Sequence, residues 1–326
     1  MTSLSIPSIE RVGDTAQIAV LIPCYNEVIT VAEVVKDFQR NLPGAQIFVY
    51  DNNSTDGTAA AAAAAGAHVR SEPLQGKGHV VRRMFSDIEA DIYVLVDGDC
   101  TYEAAAAPNM IRTLIDGNLD LVNGLRHSTV QEAYRRGHRF GNWMLTALVA
   151  LIFGRRTRDM LTGYRVFSRR FVKSFPSLTA GFEIETEIMV HALELRMLMS
   201  DYETEYRDRP AGSASKLSTL QDGAKILRLI GVLIKEERPL SFFGVIGLVL
   251  FITAVVLFIP VYIEYLQTGL VRRFPTAVLA TGLVLAAILS VACGLILSTV
   301  TLGRREMKRL IYLQQPGAGA KRYSPD

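Results

Sequence analysis

The chain has 326 residues, with 35 Lys and Arg against 32 Asp and Glu, and a formal net charge of +3. This length allows one large domain and an additional part, and the small charge without a basic stripe excludes nucleic acid as a predicted partner. The three cysteines, Cys24, Cys100 and Cys293, lie far apart without a C-x-x-C pair, so the sequence predicts neither a disulfide framework nor a cysteine zinc site.

After an N-terminal extension (1–16) that lacks the apolar core of a signal peptide, strand-like and helix-like segments alternate along the chain. Four apolar runs predict strands, at 17–23, 45–51, 67–71 and 91–97. Helical segments separate these runs, at 28–42, 54–66 and 76–88. This order predicts βαβ units in an α/β domain with a mostly parallel sheet.

Polar residues follow three of the predicted strands, in the stretches "CYNE", "DNNSTDGT" and "DGD". In open parallel sheets a ligand binds beyond the carboxyl ends of the strands. We therefore expect one pocket to contain Asn26, Glu27, Asp51, Asp97 and Asp99. The last two flank Gly98, and alternate residues at a strand end point the same way, so both carboxylates can face one cation. An isolated pair of this kind is more often a solvated turn, but the neighbouring strand ends favour a metal site.

Two apolar segments without charged residues, 239–263 and 275–303, are each long enough to cross a hydrocarbon core of about 30 Å as a helix. Basic residues flank the pair on its outer sides (Lys235, Arg238, Arg304, Arg305, Lys308 and Arg309), and the connecting loop carries only Arg272 and Arg273. The positive-inside rule predicts a multi-pass protein of the inner (plasma) membrane, with both termini and the large N-terminal part in the cytoplasm. Small residues in 282–294 could also pack helix against helix in a homo-oligomer.

The motifs "VLIPCYNE", "YDNNSTDGT", "LQGKG" and "VLVDGD", in this order, resemble the family 2 inverting glycosyltransferases of the GT-A fold, over roughly residues 17–215. The resemblance implies a Rossmann-like GT-A domain and a nucleotide-sugar donor. It also implies that Asp97 and Asp99 hold a divalent metal, Mg²⁺ or Mn²⁺, against the donor diphosphate. The donor-binding residues that it implies are Pro23, Tyr25, Asn26, Glu27, Asp51, Lys77, Asp97, Gly98 and Asp99. Thr101 stands where relatives often have a glutamine that contacts the metal, so we expect a different metal geometry here.

Further motifs, at 123–126, 135–170, 181–188 and 206–218, resemble the polyprenyl-phosphate branch, which includes dolichyl-phosphate mannose synthases and undecaprenyl-phosphate sugar transferases. The resemblance implies Asp99, Asp159 and Arg126 as catalytic residues, with Asp159 on the acceptor side. An ion pair of Asp159 with Arg158 or Arg165 is the alternative. The predicted acceptor-phosphate residues are Arg126, Arg207, Arg209, Ser215 and Lys216. Glu183, at a predicted helix start, is a weaker candidate for a site role of unspecified kind.

We therefore predict a GT-A catalytic domain (17–217), an interfacial helix (218–238), two transmembrane helices (239–303) and a cytoplasmic tail (304–326). The predicted activity is inverting transfer of a hexose from UDP-glucose or GDP-mannose to a polyprenyl (undecaprenyl) phosphate at the cytoplasmic membrane face. Two alternatives stay open, which are a catalytically silent membrane scaffold that binds nucleotide sugar and a glycosyltransferase with another membrane acceptor. A processive polysaccharide synthase is disfavoured because the only tryptophan, Trp143, is not in a Q-x-x-R-W motif.

Overall fold

The computed structural model describes residues 16–127, 159–176, 184–207, 231–232 and 234–318. Seven strands form one sheet in this part of the chain: β1 (Ile18–Cys24), β2 (Gln46–Asp51), β3 (His68–Ser71), β4 (Ile92–Leu95), β5 (Leu121–His127), β6 (Arg165–Ser168) and β7 (Met199–Glu205). The helices are α1 (Val31–Asn41), α2 (Thr58–Ala64), α3 (Lys77–Asp87), α4 (Ala107–Asp116), α5 (Arg169–Ser174), α6 (Ile184–Glu194), α7 (Pro239–Thr268) and α8 (Phe274–Leu313). A short 3₁₀ turn, Ala104–Ala106, precedes α4.

The sheet confirms the predicted mostly parallel α/β fold. Its strand order is β3-β2-β1-β4-β6-β5-β7, and every neighbouring pair is parallel except the two pairs that β6 makes with β4 and β5. The first half alternates strand and helix, as the apolar pattern predicts. The inner strands β1 and β4 are largely buried, with all four residues of β4 buried, whereas the edge strand β3 is mostly exposed. The order reverses between β1 and β4, which is where ligands bind in doubly wound sheets.

The chain divides into two compact units, one of residues 1–223 together with 308–326 and one of residues 224–307. The end of α8 therefore belongs to the unit that contains the sheet. There, Lys308 Nζ lies 2.7 Å from Glu194 Oε2, and the Tyr312 hydroxyl donates to Oδ2 of the buried Asp120 at 3.0 Å. The Arg170 guanidinium lies 5.1 Å from the centre of the Tyr312 ring. The last residues of α8, from Lys308 onwards, are thus packed against the sheet domain.

The other unit contains α7 and the apolar part of α8. Both helices are long and apolar enough to cross a membrane, by length and composition. They approach closely, since the Ser290 hydroxyl of α8 donates to the Phe243 carbonyl of α7 at 2.9 Å. The Thr301 hydroxyl of α8 also donates at 3.0 Å to the carbonyl of Glu236, three residues before α7. Most of the predicted interfacial helix (218–238) lies outside the described residues, and the predicted domain boundaries stay predictions.

Candidate active site

The loops that follow β1, β2 and β4 meet at one edge of the sheet, because these strands are parallel neighbours. The Asn26 N–H donates to Ser54 Oγ at 2.8 Å, and the Asn26 side-chain oxygen accepts from the Thr55 N–H at 2.9 Å. Asn26 has a φ of 53°, a left-handed conformation that Asn adopts more readily than most residues. The Thr30 hydroxyl donates to the Gly98 carbonyl at 2.7 Å, so the loop after β1 is linked to the loops after both neighbouring strands.

The end of β1 and the turn at Gly98 are in close contact. A Cβ added at Gly98 would lie 2.6 Å from Cys24 Sγ, so this approach requires glycine. Beside it, Glu27 is buried, Pro23 is half-buried and Tyr25 is exposed. These predicted donor-binding residues line the same edge of the sheet.

Asp51, the last residue of β2, is buried and has one carboxylate oxygen that is not satisfied. Its Oδ2 accepts from the Ser54 N–H at 3.2 Å, whereas Oδ1 has no hydrogen-bond partner among the described residues. A buried carboxylate oxygen without a donor is costly. The position is therefore suited to a ligand that supplies a hydroxyl or N–H donor.

Asp97 is held by Lys77, the first residue of α3. Lys77 Nζ lies 2.6 Å from Asp97 Oδ1 and also 2.6 Å from Glu185 Oε1, in the first turn of α6. Burial by itself lowers the pKa of Lys77, but the two carboxylates outweigh it and raise the pKa above its usual range. Lys77 is thus a cation fixed between two acids.

Asp99 is oriented by Thr101. The Thr101 hydroxyl donates to Asp99 Oδ1 at 2.6 Å, the Thr101 N–H lies 3.3 Å from the same oxygen, and both residues are buried. Because the Thr101 hydroxyl is engaged with Asp99, its observed role is to hold the carboxylate. The described residues contain no group of three or more His, Cys, Asp and Glu side chains that could hold a metal ion by themselves. Asp97 and Asp99 would supply carboxylate oxygens to a cation at this position.

Arg126, near the end of β5, forms a bidentate pair with Asp159. Arg126 Nε lies 2.7 Å from Asp159 Oδ2, and Arg126 Nη2 lies 3.0 Å from Asp159 Oδ1. Asp159 is buried, with 8% of its surface exposed. The guanidinium also lies 5.6 Å from the centre of the Tyr206 ring. Two of the predicted catalytic residues therefore contact each other directly. Among the described residues, Arg126 is the ion-pair partner of Asp159, and Arg158 lies outside them.

The loop 159–163 joins this pair to the aspartates after β4. Gly163 lies against the Asp97 carboxylate, since a Cβ added there would be 2.7 Å from Asp97 Cγ and nearer still to Oδ2. The Gly163 N–H donates to the Tyr102 hydroxyl at 2.8 Å, and burial raises the pKa of Tyr102 so that it stays neutral. One end of the loop thus holds Arg126 and the other end contacts Asp97.

Arg165 supports this loop from within the core. It is fully buried, and its three nitrogens donate to Asn123 Oδ1 (3.0 Å), the Glu185 carbonyl (2.8 Å) and the Met160 carbonyl (2.7 Å). Burial lowers its pKa to about 10, so it remains charged at neutral pH. A single side chain therefore connects β5, β6, the loop and α6.

Of the remaining predicted acceptor residues, the structure describes Arg207. Its side chain is 63% exposed and lies 3.5 Å from Glu205, while its N–H donates to the Thr101 carbonyl at 2.9 Å. The others lie outside the described residues: Arg209, Ser215, Lys216 and Glu183.

Sequence reasoning gave no site role to Tyr102, Gly163, Arg165 or Glu185, although Glu185 lies two residues after the weaker candidate Glu183. A buried charge such as Arg165 has no local signature, because its acceptors come from distant segments. The available signal was their position, since Tyr102 lies three residues after Asp99 and Gly163 lies within the motif at 135–170.

Comparison with known proteins gives consistent results. The model of the family described as Glycosyl transferase family 2 matches residues 19–175. Glycosyltransferase AglJ of Haloferax volcanii is 34% identical over 302 residues, which cover 91% of this chain and 98% of AglJ. A dolichyl-phosphate hexose transferase of the same organism is 28% identical over 221 residues, or 68% of this chain and 95% of that protein.

Solved structures share the fold. Glucosyl-3-phosphoglycerate synthase from Mycobacterium tuberculosis, in complex with Mn²⁺, UDP-glucose and phosphoglyceric acid, has a TM-score of 0.54 and 22% identity. The match covers 69% of this chain and 80% of that one. At this identity the likeness shows the GT-A fold alone.

Proposed function

The chain belongs to glycosyl transferase family 2, and we propose that it transfers a hexose, with inversion, from UDP-glucose or GDP-mannose to a polyprenyl phosphate, undecaprenyl phosphate in a bacterium. The observation that carries this proposal is the loop 159–163, which links the pair Arg126–Asp159 to Asp97. Arg126, which is suited to a phosphate, and Asp97, which is suited to a metal on the donor diphosphate, are thereby held at the two ends of one short loop. The relative named dolichyl-phosphate hexose transferase supports a lipid-phosphate acceptor.

On the donor side, the nucleotide would lie over the edge formed by the loops after β1 and β2. The unsatisfied Oδ1 of Asp51 would accept a hydrogen bond from the ribose or the base. The other proposed donor contacts come from Pro23, Tyr25, Asn26, Glu27, Lys77 and Gly98. Their loops are already connected by hydrogen bonds, so the donor site needs little rearrangement.

Asp97 and Asp99 fit a divalent metal that the donor brings with it. Magnesium is commonly bound by one or two carboxylates together with substrate phosphates, and manganese accepts the same oxygen ligands. When bound, such a metal stabilises the negative charge of the departing diphosphate. Thr101 contributes by fixing the orientation of Asp99. The Mn²⁺ bound to the related mycobacterial enzyme supports this assignment.

On the acceptor side, the attacking group is a phosphate oxygen. A phosphate monoester is mostly doubly ionised near pH 7, since its second pKa is about 6, so the reaction needs little base catalysis. Arg126 would bind this phosphate through its planar fork, and Asp159 would hold the guanidinium in place. Asp159 is therefore a positioning residue, and Arg207, Arg209, Ser215 and Lys216 are proposed as further phosphate contacts.

We propose that α7 and α8 anchor the enzyme in the plasma membrane, with the catalytic unit and both termini in the cytoplasm. Their length and composition support the anchoring. A lipid acceptor requires such a location, because its long apolar chain keeps the phosphate at the bilayer surface. Helix packing through small residues would also allow a homo-oligomer.

The test is transfer of labelled sugar from UDP-glucose, GDP-mannose and UDP-galactose to undecaprenyl phosphate by the full chain in detergent. We expect one donor to give an acid-labile lipid product, and EDTA to abolish it. Arg126→Lys should lower kcat/KM for the acceptor by about tenfold or more, because lysine lacks the fork that suits phosphate. Arg40→Lys, at an exposed site on α1, is the matched control. A folded protein that binds a nucleotide sugar but transfers it to no lipid would overturn the proposal in favour of a silent scaffold or another acceptor.

A further inference from the structure

Lys77 occupies a position at Asp97 that resembles that of a metal ion. Its ammonium lies 2.6 Å from an oxygen of Asp97 and 2.6 Å from an oxygen of Glu185. The two carboxylate oxygens are therefore close to each other, with the ammonium between them. Two carboxylates so close together require a cation between them. Lys77 supplies that positive charge from the protein itself.

The three groups differ in their access to solvent. The side chains of Lys77 and Glu185 are each 9% exposed, whereas that of Asp97 is 28% exposed. Asp97 is therefore the member that an arriving ligand can reach, and the pair Lys77–Glu185 forms the buried base of the cluster. A divalent ion that approaches Asp97 has to compete with the ammonium already bound there.

The backbone at Lys77 is fixed, but its side chain can move. The N–H of the preceding residue, Gly76, donates to Asn52 Oδ1 at 2.7 Å, which ties the start of α3 to the loop after β2. The lysine side chain is a flexible four-carbon stem with a compact charge at its end. A shift of the ammonium away from Asp97 therefore needs no backbone movement, and Glu185 would keep one of its contacts during that shift.

From this geometry we infer that Lys77 is a placeholder cation. It neutralises Asp97 in the donor-free enzyme, gives up Asp97 when the donor arrives with its metal, and then turns about Glu185 to contact the donor diphosphate. This inference rests on the proposed function and extends it, since it explains how the site avoids two uncompensated carboxylates before the donor binds. No bond is made or broken in this step.

The test is a titration of Mn²⁺ into the full chain in detergent without donor. Binding is measured as the loss of the free Mn²⁺ signal in electron paramagnetic resonance. We expect Lys77→Met to bind Mn²⁺ about tenfold more tightly than wild type, because the competing charge is gone. The same variant should show a higher KM for the donor. Arg82→Met removes one positive charge from the exposed side of α3 and is the matched control, which should leave Mn²⁺ binding unchanged.

Two further variants keep the test decisive. If Lys77→Met does not fold, Lys77→Gln removes the charge while retaining a hydrogen-bonding group, and the same tighter binding is expected. Glu185→Gln should bind Mn²⁺ more weakly, because Lys77 then has Asp97 as its remaining carboxylate partner in the cluster. A charge-removing variant that folds and binds Mn²⁺ no more tightly than wild type overturns the inference, even if wild-type transfer is normal. Wild-type transfer that survives EDTA instead overturns the proposed metal site itself.

Discussion

Replacing Gly163 with alanine tests whether the loop 159–163 fixes Asp97. The backbone of Gly163 does not have a positive φ, so alanine is compatible with its conformation, and the only obstacle is steric. The added Cβ would lie 2.7 Å from Asp97 Cγ, whereas carbon atoms in contact are normally about 3.5 Å or more apart. Because Asp97 Oδ2 would be nearer still, the carboxylate would have to move by about 1 Å, and its hydrogen bond with Lys77 would be strained or lost.

A displacement of about 1 Å at a reacting centre can cost about 100-fold in rate. We therefore expect kcat/KM of Gly163→Ala to fall about 100-fold, equivalent to about 2.7 kcal/mol of transition-state stabilisation. The assay is initial-rate transfer with the preferred donor, together with a thermal melt that shows whether the variant is folded. Gly303→Ala is the control, since no described atom lies within 4 Å of the added Cβ at this position in α8. A folded Gly163→Ala enzyme with kcat/KM within about threefold of wild type would refute the reasoning.

Thr101→Val keeps the shape of the side chain but removes the hydroxyl that donates to Asp99, so we expect about tenfold weaker Mn²⁺ binding in the presence of UDP, measured by calorimetry. Unchanged affinity would mean that Asp99 is oriented by other contacts. His191 is buried against Ser174, and burial, with a smaller effect of Lys308, lowers its pKa to about 3. Since an unfolded histidine has a pKa of about 6.5, its stabilising contribution is complete above that pH and is lost as the pH falls towards 3, by up to about 1.4 kcal/mol per unit. The melting temperature of His191→Gln should therefore fall less than that of wild type between pH 7 and 5, and parallel curves would contradict this assignment.

The half of the fold that carries the donor side could be predicted from sequence because its information is local. Each of β1, β2 and β4 is a short apolar run, and parallel strands place the residues after them at one edge. The two apolar helices were equally evident, since length and hydropathy alone define them. The family resemblance then implied which residues at that edge bind the donor and the metal.

The second half of the sheet could not be predicted in this way. Strand β6 has only four residues, "RVFS", and pairs antiparallel between β4 and β5, a choice that depends on long-range packing. The same holds for the site, where Lys77 and Glu185 are 108 residues apart in sequence. Thr101 looked like a weakened metal ligand, but its observed partner is the Asp99 carboxylate, which only the three-dimensional arrangement reveals.

The sheet domain is completed by residues from the far end of the chain. Lys308 and Tyr312 bond to Glu194 and Asp120, yet residues 224–307 of the other unit are synthesised before them. At roughly 5–20 residues per second, several seconds of translation separate the two parts. During this interval the carboxylate of Asp120 lacks one of its final donors, so the apolar helices leave the ribosome before the catalytic domain can finish folding. The order of the residues along the chain therefore sets the order in which the two units can be completed.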